Sequence, residues 1–420
     1  MKLGLIGKPL GHSKSPWIHK ELAGAEYSLW ELAPQELDAF FEKRDFSGIN
    51  VTIPYKQAVI RYLDRLEGDA AQIRAVNTVV NRGGELVGYN TDVAGARYML
   101  RSLGVRTEGA KAAVLGSGGA ARAVAQALMQ LGAEPFLVSR WPQKALEFGS
   151  VRIISYEELY AKPEGISLLV NATPAGMSPD IDGIAADISR LPELEAAADA
   201  VANPLRTRLV FEAGQRGLKT AGGLGMLVAQ AYASEKLFGG SVKDPSSVES
   251  CIKRLASASK NIVLTGMPSA GKTTAGRILA KKAGLPFTDM DEELEKRFGM
   301  TIAEYFERYG EASFRACEKQ LAEELSHLEG HVIATGGGTV TDPDNMRRLM
   351  AGGEVVWLDR SMKLLTASRE RPLAADSASL QRLWTERRSL YKKYSDIVID
   401  ADGSPEETVQ ELMKLLPEER

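Results

Sequence analysis

Residues 261 to 284, NIVLTGMPSAGKTTAGRILAKKAG, constrain the fold more than any other stretch of the chain. A β-branched apolar run, a glycine-rich loop and an amphipathic start read as strand, loop and helix. The loop GMPSAGKT fits G-x-x-x-x-G-K-[ST], whose successive backbone N–H groups surround a phosphate at a helix N-terminus. Gly266, Gly271, Lys272 and Thr273 of that pattern, with Thr274 just after it, are placed to contact nucleotide phosphates. Lys272 reaches the β- and γ-phosphates, and the Thr273 hydroxyl ligates Mg²⁺. The loop begins only after 260 residues, so most of the chain lies in front of it.

Strand-like runs alternate with helical patterns on both sides of this loop. KLGLIG (2–7), KAAVLG (111–116) and SLLVNAT (167–173) precede it, and HVIATGGG (331–338) and EVVWLD (354–359) follow. Such alternation predicts an α/β chain with parallel sheets. Residues 238 to 260 begin with glycines and a proline-containing polar stretch and end in a short basic helix-like piece, which places a linker at 246–260. At 420 residues two or three domains are expected.

Net charge of −3 and a pI near 6.0 argue against nucleic acid or an anionic membrane as partner. Two cysteines, Cys251 and Cys317, are too few for a disulfide framework or a cysteine metal site. They suit a reduced, cytoplasmic compartment, and the N-terminal apolar run is too short for a signal peptide. Composition assigns no oligomeric state.

Four segments after the phosphate loop point to an acceptor. PFTDMDEELE carries Asp289 and Asp291 at i and i+2, so that at a strand end one faces metal and the other the acceptor. GEASFRACEKQ sets Arg315 and Glu318 on one helix face, as either a functional pair or a solvated surface pair. ATGGGTV lets the backbone at Gly336 to Gly338 approach a small ligand. ASRERPL and TERRSLY supply Arg371 and Arg387, suited to a carboxylate or a phosphoryl group. Cys317 reads as core filler.

In this order the segments resemble shikimate kinase across residues 261–420. The resemblance implies that Arg315, Arg387 and Gly337 hold shikimate and that Asp291 hydrogen-bonds the attacking hydroxyl. Glu318 would orient Arg315, Asp289 would act on Mg²⁺ through water, and Arg371 would close from a lid. RPLAAD departs from the family's R-P-L-L.

Upstream, KAAVLGSGGAARAVAQAL holds Gly116, Gly118 and Ala121 as G-x-G-x-x-A between a strand and a small-residue helix, a dinucleotide-binding pattern. The next strand ends at Arg140, where NAD-binding chains carry an acid; arginine there suits the 2′-phosphate of NADP, or is simply a solvent-facing charge. Other segments do not belong to a dinucleotide domain. GKPLGHSKSPWIH gives Ser13 and Ser15, and GINVTIPYK gives Thr52 and Lys56. AVNTVV gives Asn77, GYNTD gives Asp92, and GGLGMLVAQA sets Met226 and Gln230 on one helix face. Hydroxyls, amides, a lysine and an aspartate suit a polyhydroxylated acid, and a Lys–Asp pair serves acid–base chemistry. His12 and His19, without partners at ligand spacing, read as structural.

Together these segments resemble shikimate dehydrogenase over residues 1 to about 240. The resemblance implies a substrate domain, 1–103 with 225–245, around a Rossmann-type NADP domain, 104–224. Ser13 and Ser15 would bind the substrate carboxylate, Thr52 would line the pocket, and Asn77, Asp92 and Gln230 would bind ring hydroxyls. Lys56 would deliver the proton with Asp92 as partner. Gly116, Gly118, Gly119, Ala120, Arg140, Asn171, Thr173, Met177 and Met226 would line NADP. DAVANP has Ala202 in place of a family tyrosine, and Ser139-Arg140-Trp141 replaces N-R-T, with Trp141 placed either to stack on adenine or to pack.

The implied function is reduction of 3-dehydroshikimate by NADPH followed by phosphorylation of shikimate by ATP. Two alternatives differ from it: a regulator that binds shikimate-type ligands without turnover, and a first half that uses quinate with NAD. Retention of Lys56, Asp92, Lys272, Asp291 and Arg315 speaks against the regulator, and Arg140 against NAD.

Overall fold

In the computed structural model the described residues are 1–416, apart from 12, 145–147, 243, 367–371 and 375. They form two compact units, Met1–Lys253 and Arg254–Arg420.

The first unit contains two sheets. One is built from β1 (Leu3–Gly7), β2 (Tyr27–Glu31), β3 (Gly48–Val51), β4 (Arg65–Leu66), β5 (Thr78–Arg82) and β6 (Glu85–Tyr89), in the order β2-β1-β3-β5-β6-β4. β1 runs parallel to β2 and β3, whereas β5 is antiparallel to both β3 and β6.

The other sheet holds β7 (Lys111–Leu115), β8 (Glu134–Val138), β9 (Ile153–Ile154), β10 (Ile166–Asn171), β11 (Ala196–Asp199) and β12 (Lys219–Ala221). All its pairings are parallel, in the order β12-β11-β10-β7-β8-β9. That is the doubly wound dinucleotide-binding order, with the reversal between β7 and β10. Side-chain alternation explains why these strands read as continuous apolar runs. Val114, Leu168 and Val170 enter one core, while Ala113, Leu115 and Leu169 enter the core on the opposite face. Each fully buried Leu or Val contributes roughly 1.5–3 kcal/mol.

Helix Leu224–Phe238 returns from the second sheet to pack on helix Asp92–Ser102. Gly95 permits the approach, because a Cβ there would strike the carbonyl of Met226. The contact sets Asp92 and the Met226–Gln230 turn side by side.

The second unit is one parallel sheet of β13 (Asn261–Thr265), β14 (Phe287–Asp289), β15 (Val332–Ala334), β16 (Gly353–Asp359) and β17 (Ile397–Asp400), in the order β14-β15-β13-β16-β17. The central strand β13 runs into the phosphate-type loop and helix Lys272–Ala283, as its sequence predicts. The stretch read as a linker ending in a short helix-like piece is helical over Ser247–Ser259. Val248, Cys251 and Leu255 recur at helical spacing and are buried, so this helix has one apolar, covered face.

Candidate functional site

In the first unit, Lys56 follows β3 and Asp92 opens helix Asp92–Ser102, where the helix N-terminus favours a carboxylate. Lys56 Nζ donates to Asp92 Oδ2 at 2.5 Å, and Asn77 Nδ2 donates to Asp92 Oδ1 at 2.9 Å. Asn77 is itself fixed: its Oδ1 accepts from the Thr91 N–H at 2.7 Å, and its Nδ2 reaches Gln230 Oε1 at 3.3 Å. Behind it lies a buried hydroxyl cluster of Thr78, Thr91 and Ser234, with separations of 2.9 to 3.1 Å. Thr91 and Ser234 were not identified from sequence; a lone Thr or Ser carries no signal until its burial is known.

Ser13 and Ser15 lie where β1 leads into helix Ser15–Ala23, with the Ser15 N–H donating to Ser13 Oγ at 3.3 Å. Thr52 leaves the carboxyl end of β3, the strand paired with β1. The predicted dehydrogenase residues thus gather along one edge of the first sheet. His19, read as structural, is buried with its Nδ1 2.5 Å from Glu235 Oε1 and its ring stacked on Tyr27 at 3.9 Å. His12 lies outside the described residues.

The glycine loop after β7 faces this edge. Gly116 has φ of +111°, and a Cβ on it would lie 3.1 Å from the Ala172 carbonyl, so glycine is required. A Cβ on Gly119 would lie 3.5 Å from Cδ of Lys56. A cleft of about 520 Å³ runs here past Thr52, Lys56, Gly116 to Ala120, Arg140, Trp141, Tyr156 and Thr173. No acidic side chain lines it among the described residues, and Arg140 does, which fits a dinucleotide bearing a 2′-phosphate. Burial raises the Tyr156 phenol above its ordinary value while the nearby Arg140 opposes this. Tyr156, on the helix after β9, had escaped notice in the sequence.

Three expected cofactor contacts are placed differently. Met177 lines a neighbouring cavity of about 870 Å³ that shares Arg140, Tyr156 and Thr173 with the cleft. Met226 is buried against the helix carrying Asp92. Asn171 is fully buried and turns inward: its Oδ1 accepts from Thr173 N–H and Oγ1 at 3.0 and 2.7 Å. It braces the loop rather than lining the cleft. Trp141 stays 58% exposed beneath Lys144.

In the second unit a cavity of about 550 Å³ gathers Lys272, Thr273, Thr274, Asp289, Asp291, Arg315, Glu318, Gly336 to Gly338 and Arg387. Gly271 caps helix Lys272–Ala283, and Gly266 opens the loop. Lys272 Nζ donates to the carbonyls of Gly266 and Met267, each at 3.0 Å. Thr273 Oγ1 donates to Asp289 Oδ2 at 2.6 Å, so hydroxyl and carboxylate converge as a hard-cation donor set that fits Mg²⁺. Asp289 also caps helix Met290–Phe298, accepting from Asp291 N–H at 2.9 Å.

Arg315 Nη1 donates to Glu318 Oε2 at 2.8 Å, and Glu318 Oε1 accepts from Thr339 Oγ1 at 2.7 Å. Glu318 is 1% exposed, so the pair is no solvated surface contact. Arg387 Nη1 and Tyr391 OH both donate to the Gly337 carbonyl, at 3.0 and 2.6 Å. Burial raises the Tyr391 phenol, which therefore stays a donor. Thr339 and Tyr391 were missed, although Tyr391 stands one turn beyond Arg387. The three glycines have a steric reason. A Cβ on Gly336 would come 2.7 Å from Asp291 Oδ1, one on Gly337 2.9 Å from Pro268 Cδ, and one on Gly338 would strike the Arg315 guanidinium. Helix Ile302–Ser326 breaks at Gly310, where the G-E-x-x-F-R segment begins. The predicted lid residue Arg371 lies outside the described residues.

Comparison with known proteins decides the family. Shikimate dehydrogenase (NADP⁺) of Symbiobacterium thermophilum is 40% identical over 260 residues, 56% of this chain and 88% of that protein. The chain belongs to the shikimate dehydrogenase family. The enzyme of Thermus thermophilus is 39% identical over 60% of this chain and 98% of its own length. The family model "Shikimate dehydrogenase substrate binding domain" matches residues 5–79, and "Shikimate kinase" matches residues 268–417. Beyond its dehydrogenase portion the chain therefore carries a shikimate kinase domain.

Among solved structures, shikimate 5-dehydrogenase from Thermus thermophilus in complex with NADP(H) and shikimate matches with TM-score 0.54 and 38% identity, over 60% of this chain and 99% of that one. A chorismate mutase/shikimate 5-dehydrogenase fusion protein from Clostridium acetobutylicum matches with TM-score 0.56 and 35% identity, over 60% and 96%.

Proposed function

We propose that the chain is a bifunctional enzyme of aromatic amino acid biosynthesis that reduces 3-dehydroshikimate to shikimate and then phosphorylates shikimate to shikimate 3-phosphate. The observation that carries it is common to both units: the cation of a cation–carboxylate pair and a phosphate-type glycine loop line one cleft. In the first, Gly119 meets Lys56, which pairs with Asp92. In the second, Gly337 meets Pro268 of the phosphate loop, while the flanking Gly336 and Gly338 meet Glu318 and Arg315, which pair with each other.

In the dehydrogenase, residues 1–103 and 225–245 serve as substrate domain and 104–224 as cofactor domain. Ser13 and Ser15 bind the carboxylate, and Asn77, Asp92 and Gln230 bind ring hydroxyls beside Thr52. NADPH, held by Gly116 to Ala120, Arg140 and Thr173, supplies the hydride. Lys56 delivers a proton to the carbonyl oxygen as it gains negative charge, and Asp92, oriented by Asn77, keeps the ammonium aimed.

In the kinase, spanning 261–420, Arg315 and Arg387 bind the shikimate carboxylate with Gly337. Asp291 accepts a hydrogen bond from the 3-hydroxyl, the oxygen produced by the first reaction. Lys272 stabilises charge on the transferring phosphoryl group. Thr273 and Asp289 would hold Mg²⁺, which would supply positive charge at the nucleotide phosphates. The protein works in the cytoplasm, where two cysteines and no disulfide framework are at home; no described helix is long and apolar enough to cross a membrane.

Purified protein given 3-dehydroshikimate, NADPH, ATP and Mg²⁺ should oxidise NADPH and release ADP, the second dependent on the first. ADP release without NADPH, or none with authentic shikimate, would contradict the kinase assignment. Titration with NAD and quinate tests the other substrate pairing: comparable turnover would displace the reading from Arg140.

A further inference from the structure

Asp199 ends β11 and is fully buried, yet none of the steps above uses it. Its Oδ1 accepts from Asn171 Nδ2 and from the Val201 N–H, each at 3.0 Å, and its Oδ2 accepts from Thr207 Oγ1 at 2.7 Å. These three donors belong to three different segments.

Asn171 ends β10 and organises the loop that follows. Besides receiving both donors of Thr173, its Nδ2 donates to the Ala175 carbonyl at 3.2 Å. Thr173 lines the cofactor cleft. Val201 leads toward the substrate side: its carbonyl accepts from the Gly223 N–H at 3.1 Å. Gly223 precedes helix Leu224–Phe238, which carries Gln230, and it lies so close to Ala200 and Val201 that a Cβ would strike their backbone. Thr207 caps helix Arg208–Gln215 by accepting from the Val210 N–H.

We infer that Asp199 is a positioning residue of the dehydrogenase site, whose carboxylate holds the cofactor loop after β10 and the start of the substrate helix in one arrangement. It touches neither ligand. Through Asn171 it sets Thr173, and through Val201 and Gly223 it sets the helix bearing Gln230. Burial pushes its carboxyl up to about 7, against the three donors that favour the ionised form. All three donors are uncharged, so the ionised form is held by hydrogen bonds rather than by an ion pair.

The inference rests on the assignment of the cleft to NADPH, and the test separates the two. Asp199→Asn keeps the shape but turns an amide N–H₂ toward donors. It should raise KM for NADPH roughly tenfold, and KM for 3-dehydroshikimate by a smaller factor. kcat should fall less, because Lys56, Asp92 and Asn77 keep their contacts. Kinase activity of the same preparation should be unchanged. A residue serving stability alone would lower the melting temperature and leave both KM values of the folded protein in place.

Both KM values staying within about twofold of the parent would overturn the inference. Should Asp199→Asn fail to fold, Thr207→Val removes one donor while keeping the carboxylate. A rise in NADPH KM of about threefold would support the inference, and no change would overturn it. A parent protein that binds no NADPH would instead sink the assignment of the cleft, and this inference with it.

Discussion

Both units set a more open cation beside a more buried carboxylate, but they choose different cations. In the first, Lys56 and Asp92 are 2.5 Å apart, and the lysine side chain is the more open, 19% exposed against 8%. In the second, Arg315 and Glu318 are 2.8 Å apart; Glu318 is sealed at 2% and the arginine reaches outward at 24%. The chemistry of the cations makes sense of the choice. A lysine ammonium can give up a proton, whereas a guanidinium stays charged throughout. On the proposed reading the first pair transfers a proton and the second presents a permanent charge to an anion.

The strongest way to break that contrast is to exchange the cations. Lys56→Arg keeps the charge but cannot release the proton, and should lower kcat for NADPH oxidation by about 10²–10⁴-fold, as Lys56→Ala should. Phosphorylation of added shikimate should be untouched, and Lys272→Ala should give the reverse pattern. A Lys56→Arg protein that kept its rate would end the proton-transfer reading.

A smaller effect is expected in the kinase. Glu318→Ala leaves Arg315 without its buried partner and Thr339 without its acceptor, and should raise KM for shikimate by roughly 10–100-fold. Steady-state rates against shikimate concentration would show it; a change in KM for ATP alone would place the pair elsewhere. Smaller again, Arg140→Ser should narrow the preference for NADPH over NADH by about tenfold, read as the ratio of kcat/KM values.

The smallest effect is on stability. The Asp199 carboxyl titrates near 7 in the folded protein, against 3.8 when freely solvated. Between those values the folded state holds a proton that the unfolded state has lost. Its contribution to stability is therefore present below about pH 4 and disappears as pH rises through 7. Thermal melts at pH 5 and 8 should show a steeper decline for the parent than for Asp199→Asn.

Both phosphate-type loops were legible because their glycines sit at fixed offsets between a strand and a helix. The ordered polar segments were legible too, from HSKSP to the Met226–Gln230 turn. What stayed hidden is mostly buried polarity. Asp199, Thr91, Ser234 and Tyr391 look in sequence like any surface residue, and only burial gives them partners. Asn171 was misplaced for the same reason: a loop motif does not say which side chain faces the ligand and which faces the protein. The helix at Ser247–Ser259 was read only as a short helix-like end to a linker, because the polar, glycine-led start drew the eye from its apolar spacing.

The loop Gly336–Gly338 carries its information in missing atoms, and each omission has its own address. A methyl at Gly336 would press on Asp291, one at Gly337 on Pro268, and one at Gly338 on Arg315. Two of these neighbours are ends of side chains that can swing aside, and the third is a rigid ring. Three alanine variants would therefore speak separately to the acceptor hydroxyl, the nucleotide loop and the substrate carboxylate. Only the middle one should also unsettle the fold.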